Sequence, residues 1–254
     1  MQLHQVAAQL YTLRDFCQTP DAIARSLERV RALGYEAVQV SGLGPIEDTQ
    51  LLELARNNGL TICATHEGCD AILNEPERVI DHLRALETRH TAIGFPSGVD
   101  LGSLEGVQDF CRRFEASAQK FVAAGLTVSH HNHQHEFRRV GGQTVMEHIL
   151  AQTRHVTLEL DTYWVQYGGG SPVAWNQRAQ GRLPLLHLKD YAVSDAAQPV
   201  FAEVGHGNLD WPDIIASAEE SGCEWFIVEQ DTCPGDPFDS LKLSFDYIRE
   251  HLVS

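Results

Sequence analysis

Four short segments of this chain end in side chains that bind metal ions or carry protons. They are Thr127–His133 (TVSHHNH), Val156–Asp161 (VTLELD), Leu185–Lys189 (LLHLK) and Phe226–Glu229 (FIVE). Each is an apolar or β-branched run closed by His, Asp, His or Glu, and each runs into loop residues. Groups of this kind are costly inside a sheet and natural at its open end. Residues two apart share one face of a strand. Ser129, His131 and His133 therefore align, as do Thr157, Glu159 and Asp161, then Leu185, His187 and Lys189, and finally Ile227 and Glu229. This arrangement offers His131, Asp161, His187 and Glu229 to one cation. Mixed imidazole and carboxylate ligands suit manganese, zinc, cobalt or iron better than calcium or magnesium. One divalent ion is expected, manganese first, with zinc, cobalt, iron or magnesium as alternatives.

The elements that must hold these residues recur with a period of roughly thirty residues, the length of a strand–helix unit. Strands are predicted over Val6–Leu10, Ala37–Val40, Thr61–Thr65, Thr91–Phe95, Thr127–His131, Thr157–Asp161, Leu185–Leu188 and Glu224–Glu229. Helices are predicted over Pro20–Leu33, Glu47–Asn58, Glu75–Leu86, Leu104–Ala124, Val145–Ala151, Val173–Ala179, Pro212–Ser221 and Pro237–His251, with a longer loop running to Asn208. Glycines such as Gly34, Gly59 and Gly125 stand where helices should stop before strands. Short apolar strands alternating with amphipathic helices imply a parallel sheet. Eight such pairs fit a (β/α)8 TIM barrel better than a doubly wound open sheet, because no GxGxxG follows the first strand. No linker or low-complexity run divides the chain, so residues 1–254 are expected to form one domain. In a barrel, the ends of successive strands converge on one mouth, which is where the four ligands would meet.

Composition excludes several classes. Nineteen Lys and Arg against 35 Asp and Glu give a net charge of −16, which repels phosphate backbones and anionic lipids. No stretch approaches the roughly 18 apolar residues of a membrane span, and the N-terminus lacks the pattern of a signal peptide. The six cysteines form no CxxC pair and are expected to be mostly reduced and buried in a cytoplasmic protein. No nucleic acid and no membrane partner is expected; self-association is left open.

The phrases HNHQHEF (131–137), LDTYWVQYGG (160–169), LLHLKD (185–190), VGHGNLDW (204–211) and FIVEQD (226–231), with AAQLYTLRD (7–15) near the start, resemble the xylose isomerase-like TIM-barrel superfamily of sugar isomerases and epimerases. The likeness runs from Val6 to Ile248. It implies one divalent metal held by Glu, Asp, His and Glu on strands five to eight, and Asp161, His187 and Glu229 match three of these. The first ligand departs: His131 stands where many relatives have Glu. In epimerase-type members the glutamates of strands five and eight act as paired acid and base, so Glu136 is a candidate substitute. His206 and Gln39 also stand where relatives often carry acidic residues.

The resemblance and the constellation together lead to an isomerase or epimerase acting on a small carbohydrate through a metal-stabilised enediolate. Glu229 or Glu136 is the expected base, and His131, His133 or His66 the expected proton donor. The histidine-rich fifth strand makes a lyase the close alternative, acting by β-elimination on a keto-sugar, 3-keto-glycoside or keto-inositol. A non-catalytic sugar-binding barrel is the minor alternative. An abasic-site endonuclease is disfavoured by the acidic balance. Expected substrate contacts are Lys189, Trp164, Tyr11, Phe137 and His206. Glu159 is placed a layer below the metal, paired with Lys189, and Glu67 is expected to face solvent.

Overall fold

A computed structural model describes residues 1–253. Eight parallel strands close into a barrel: β1 Val6–Gln9, β2 Ala37–Val40, β3 Thr61–Glu67, β4 His90–Ile93, β5 Thr127–His131, β6 Thr157–Asp161, β7 Leu185–Leu188 and β8 Trp225–Val228, each paired with its sequence neighbours and β8 closing on β1. The helices lie outside: α1 Pro20–Leu33, α2 Asp48–Asn57, α3 Cys69–Asn74, α4 Pro76–Ala85, α5 Leu104–Ala123, α6 Val145–Gln152, α7 Thr162–Tyr167, α8 Pro172–Arg178, α9 Trp211–Glu220 and α10 Pro237–His251. The expected TIM barrel is therefore the observed fold. No helix among the described residues is long and apolar enough to cross a membrane.

Local chemistry sets the element ends. The Thr19 hydroxyl accepts from Ala22 N ahead of Pro20 at the first position of α1. Gly34 closes that helix at φ 114°, in the left-handed region that glycine adopts without steric cost. Strand alternation then separates two apolar regions. Outward-facing residues such as Val38, Leu158, Leu188 and Phe226 pack with Leu27, Phe114 and Trp211 from the helices. Inside the barrel, a floor of mostly small side chains (Ala7, Ala37, Cys63, Ala64, Leu185 and Ile227) forms a separate cluster. Above that floor the interior is polar: Gln9, Gln39, Glu159 and His187 are all fully buried.

The chain departs from the expected pattern in three connections. The helix predicted over Glu75–Leu86 begins at Pro76, and a separate short helix, α3, precedes it. Glu75, at φ −130° and ψ 44°, is the break, as expected before proline. After β5 comes a 3-10 turn, Gln134–Phe137, and a two-stranded ribbon joined by Gly141 and Gly142. After β7 the expected loop instead contains an antiparallel ribbon, Asp190–Val193 with Pro199–Ala202.

Asp190 fixes this last connection. Its buried carboxylate accepts from Tyr191 N (2.8 Å), Gly205 N (2.9 Å), Gly207 N (3.1 Å), Leu209 N (3.3 Å) and the Trp211 indole (2.7 Å). Asp190→Ala leaves these donors without their acceptor inside the protein. It is expected to lower stability by about 3 kcal/mol, read by urea denaturation together with a change in Trp211 fluorescence. A loss below about 1 kcal/mol would mean that water replaces the carboxylate.

Candidate active site and metal centre

The four strand ends do converge. His131 closes β5, Asp161 closes β6, His187 lies in β7 and Glu229 follows β8. One ligand atom from each lies within 4.8 Å of the others, and all four side chains are buried. His187 Nδ1 is 2.8 Å from Glu229 Oε2, and His131 Nε2 is 3.4 Å from Asp161 Oδ2. The second contact is too poorly aligned for a hydrogen bond. Asp161 Oδ2 meets the Lys189 ammonium at 2.9 Å, whereas both ring nitrogens of His131 have no hydrogen-bond partner although they are buried. Asp161 Oδ1 is otherwise engaged, accepting from Trp164 N at the start of α7. Buried polar atoms left in this state call for a ligand. Two imidazoles and two carboxylates form a donor set that fits a divalent transition ion.

The electrostatics point the same way. Burial pushes the Asp161 carboxyl up, but the Lys189 ammonium and the His131 ring hold it below its ordinary value. Burial likewise opposes ionisation of Glu229, and Lys189 and His187 hold it well below the carboxylate range. For His131, burial dominates and lowers the pKa, so the ring stays neutral and able to donate a lone pair. Burial also disfavours charge on His187, yet Glu159 and Glu229 raise it to about 10 in the metal-free protein.

Beneath this cluster lies a connected polar layer. Gln9 Nε2 donates to Gln39 Oε1 (2.6 Å), and Gln39 Nε2 donates to Glu159 Oε1 (2.6 Å). His187 Nε2 is 2.7 Å from Gln39 Oε1, and His66 Nε2 is 2.5 Å from Glu159 Oε2. Glu159 is thus bonded to Gln39 and His66, with His187 Nε2 3.3 Å away, and not to Lys189 as the sequence led us to expect. Alternation gave its face correctly; its partners reach across the barrel from β2 and β3. Lys189 instead meets Asp161 Oδ2 (2.9 Å), Glu229 Oε2 (2.7 Å) and Asp231 Oδ2 (3.2 Å).

A cavity of about 550 Å³ opens over the cluster. Of the residues expected there, Tyr11, His66, His131, His133, Lys189 and Glu229 line it. Trp164 stands behind, its ring 5.4 Å from His133 and 5.6 Å from the Lys189 ammonium. Three others lie elsewhere. Phe137 lines a separate surface hollow against Gly168 and Trp175. His206 sits 6.4 Å from Tyr247, in the segment that Asp190 anchors. Glu136 is fully buried below the rim, accepting from His130 Nε2 (3.2 Å) and His133 N (2.9 Å). It is the third corner of a distinct His133, His135 and Glu136 group, so the fourth member of the main cluster is His131.

Further residues complete the wall. Glu67 borders the cavity, but its half-buried carboxylate lies 3.3 Å from His82 Nε2 on the outer helix α4. Asp231 lies on the same wall, with its carboxyl raised to about 6 by burial, although Lys189 opposes the rise. Its signal was present in FIVEQD, two residues beyond Glu229 and hence on the same face. Arg14 donates to the carbonyls of Tyr11 (2.9 Å) and Asp231 (3.0 Å) at the rim. Phe95 adds an exposed aromatic face.

Comparison with known proteins extends this picture. A model of the xylose isomerase-like TIM barrel family matches residues 27–251. No curated protein matches the chain in sequence. Among solved structures, a sugar phosphate isomerase/epimerase of Parabacteroides distasonis superposes with TM-score 0.83 at 19% identity, covering 99% of this chain and 96% of that one. A xylose isomerase-like TIM-barrel protein of Mycobacterium smegmatis, solved in complex with magnesium, gives 0.74 at 15%, covering 98% and 97%. The probable 3-DHS dehydratase AsbF of Bacillus anthracis, involved in petrobactin synthesis, gives 0.71 at 12%, covering 99% and 100%. At such identities the structures share a fold, and the match over residues 27–251 decides the family. The chain belongs to the xylose isomerase-like TIM-barrel family.

Proposed function

We propose that this barrel is a metal-dependent isomerase or epimerase of a small polyhydroxylated carbonyl compound. The observation that carries the reading is the convergence of His131, Asp161, His187 and Glu229 at the floor of a cavity edged by Tyr11 and Phe95. A divalent cation held by those four residues supplies positive charge where oxyanions develop on the adjacent oxygens of a hydroxy-carbonyl substrate. Glu229 lines the cavity as a carboxylate and is the base placed to take a proton from the carbon beside the carbonyl. His66 reaches the same cavity from β3, three strands round the barrel from β8. Its ring is fixed by Glu159, which leaves the other nitrogen to hold or return a proton. Tyr11 and Phe95 offer ring faces to the carbon skeleton.

One observation favours the lyase as a second reading. His131, held neutral, occupies the strand-five position, and Glu136 is bonded away from the cavity. No second carboxylate on β5 then opposes Glu229, so proton return falls to an imidazole that can equally protonate a leaving oxygen. The test is incubation of manganese-loaded protein in D2O with a panel of ketoses, aldoses and 3-keto-glucosides. Deuterium entering the substrate with all oxygens retained supports isomerisation or epimerisation. An unsaturated ketone or a released aglycone supports elimination. Binding without exchange would leave a sugar-binding barrel.

A further inference from the structure

The chain has three lysines, Lys120, Lys189 and Lys242. Side-chain exposure is 52% for the first and 42% for the last, but 1% for Lys189. The Lys189 ammonium touches Asp161 Oδ2 at 2.9 Å and Glu229 Oε2 at 2.7 Å. These oxygens belong to two of the four residues assigned above to the metal. A divalent ion and an ammonium cannot both lean on them at contact distance without strong repulsion. The metal-free cluster also uses the ammonium: it contacts Asp161, Glu229 and Asp231 together, whereas His187 Nδ1 pairs closely with Glu229 alone.

The surroundings give the ammonium somewhere to go. Asp231 receives it at 3.2 and 3.3 Å, lines the cavity with it, and is not a member of the metal cluster. Trp164 and Phe201 present ring faces 5.6 and 5.7 Å from Nζ. The backbone is pinned, because the Thr162 hydroxyl bonds both the N–H and the carbonyl of Lys189. Movement is therefore confined to the side chain.

We propose that Lys189 is a resident counter-ion: it holds the carboxylates in place in the metal-free protein and yields them to the divalent ion, turning towards Asp231 and the cavity. There it becomes a cation for substrate oxygens. Metal affinity is then set by competition with the protein's own ammonium and lies below what the four ligands alone would give. This inference rests on the metal-dependent reading above.

The experiment compares wild type with Lys189→Met, similar in length and uncharged. Manganese affinity of the variant, measured by competition with a chelating indicator, should rise at least about tenfold, because both the competitor in the free state and the repulsion in the bound state are gone. Its metal-free form should melt earlier than wild type, and its manganese-loaded form should not. A second measurement on wild type alone uses reductive dimethylation with peptide mapping. Lys189 should be protected without metal and labelled with manganese bound, while Lys120 and Lys242 label in both states. Unchanged or weaker manganese affinity in a folded Lys189→Met protein would overturn the proposal. So would Lys189 equally protected with and without manganese, a result that stands even if the variant fails to fold. Wild type that binds neither manganese nor zinc would remove the metal-dependent reading and this inference together; wild type that binds metal, with no gain in the variant, removes the counter-ion role alone.

Discussion

Glu229→Gln is expected to reduce solvent exchange of substrate hydrogen by about 1,000-fold or more. The amide has nearly the shape of the carboxylate, so packing at this 5% exposed residue is retained. What disappears is the negative charge that faces His187 Nδ1 at 2.8 Å and Lys189 Nζ at 2.7 Å. A neutral amide cannot take a proton from carbon near neutral pH, and it is a poorer metal ligand. Metal affinity should fall with the rate, which titration of the stripped protein will read. Glu136→Gln is the matched control: it removes an equally buried carboxylate that does not line the cavity. That variant should lose stability and keep its exchange rate within about tenfold. If Glu229→Gln retains exchange and Glu136→Gln abolishes it, the base is Glu136 and the 3-10 turn must rearrange when substrate binds.

Glu159→Gln is expected to lower the stability of the metal-free protein by about 3 kcal/mol. Its carboxylate is fully buried, bonded to Gln39 and His66 and within 3.3 Å of His187, and it does not touch the cavity. The sign of the pH dependence separates charge from packing. The His187 pKa is raised to about 10 in the folded chain. Its stabilising pairings are therefore complete below about 6.5 and are lost as pH rises towards the folded value. The Glu159 carboxyl is held well below its ordinary range, against its burial, by His187 and His66. That contribution is complete above about 4.3 and is lost as pH falls. His133, lowered to about 3 mainly by burial, works in the same direction on the acid side, because the unfolded chain binds its proton more readily. Metal-free wild type should thus be most stable near neutrality, and Glu159→Gln should flatten the alkaline limb. Urea denaturation at pH 6.5 and pH 9 measures this; the same difference at both would assign the loss to packing.

The parts of the site legible in the sequence follow from one rule, that strand residues alternate. His131, Asp161, His187 and Glu229 each end an apolar run, and barrel closure brings such ends together. The same rule places Glu159 inside the barrel but says nothing of partners across it. Its bonds to Gln39 and His66, and Lys189's bonds to Asp161 and Glu229, depend on which strands face each other after closure. Phe137 and His206 were misplaced because loops follow no period: the first turns towards Gly168, and the second lies in the 205–211 segment gathered by Asp190. The ribbon after β7 had a local signal, Tyr191–Val193 and Val200–Phe201 flanking Ser194 to Pro199, which the chain's strand–helix rhythm obscured.

The small-residue floor has a consequence for how this lineage can change. Ala7, Ala37, Cys63 and Ala64 leave shallow apolar matter at the base, and a layer of mutually bonded polar groups fills the barrel above it. Exchanging one member of that layer strands its neighbours without partners, so this interior layer resists drift. The rings at the rim are held by looser contacts: Tyr11, with Arg14 over its ring, is 38% exposed, and Phe95, beside His133 and His135, is 57% exposed. Divergence in ligand choice should therefore be written in the loops that bear those rings, with the chemistry below inherited intact.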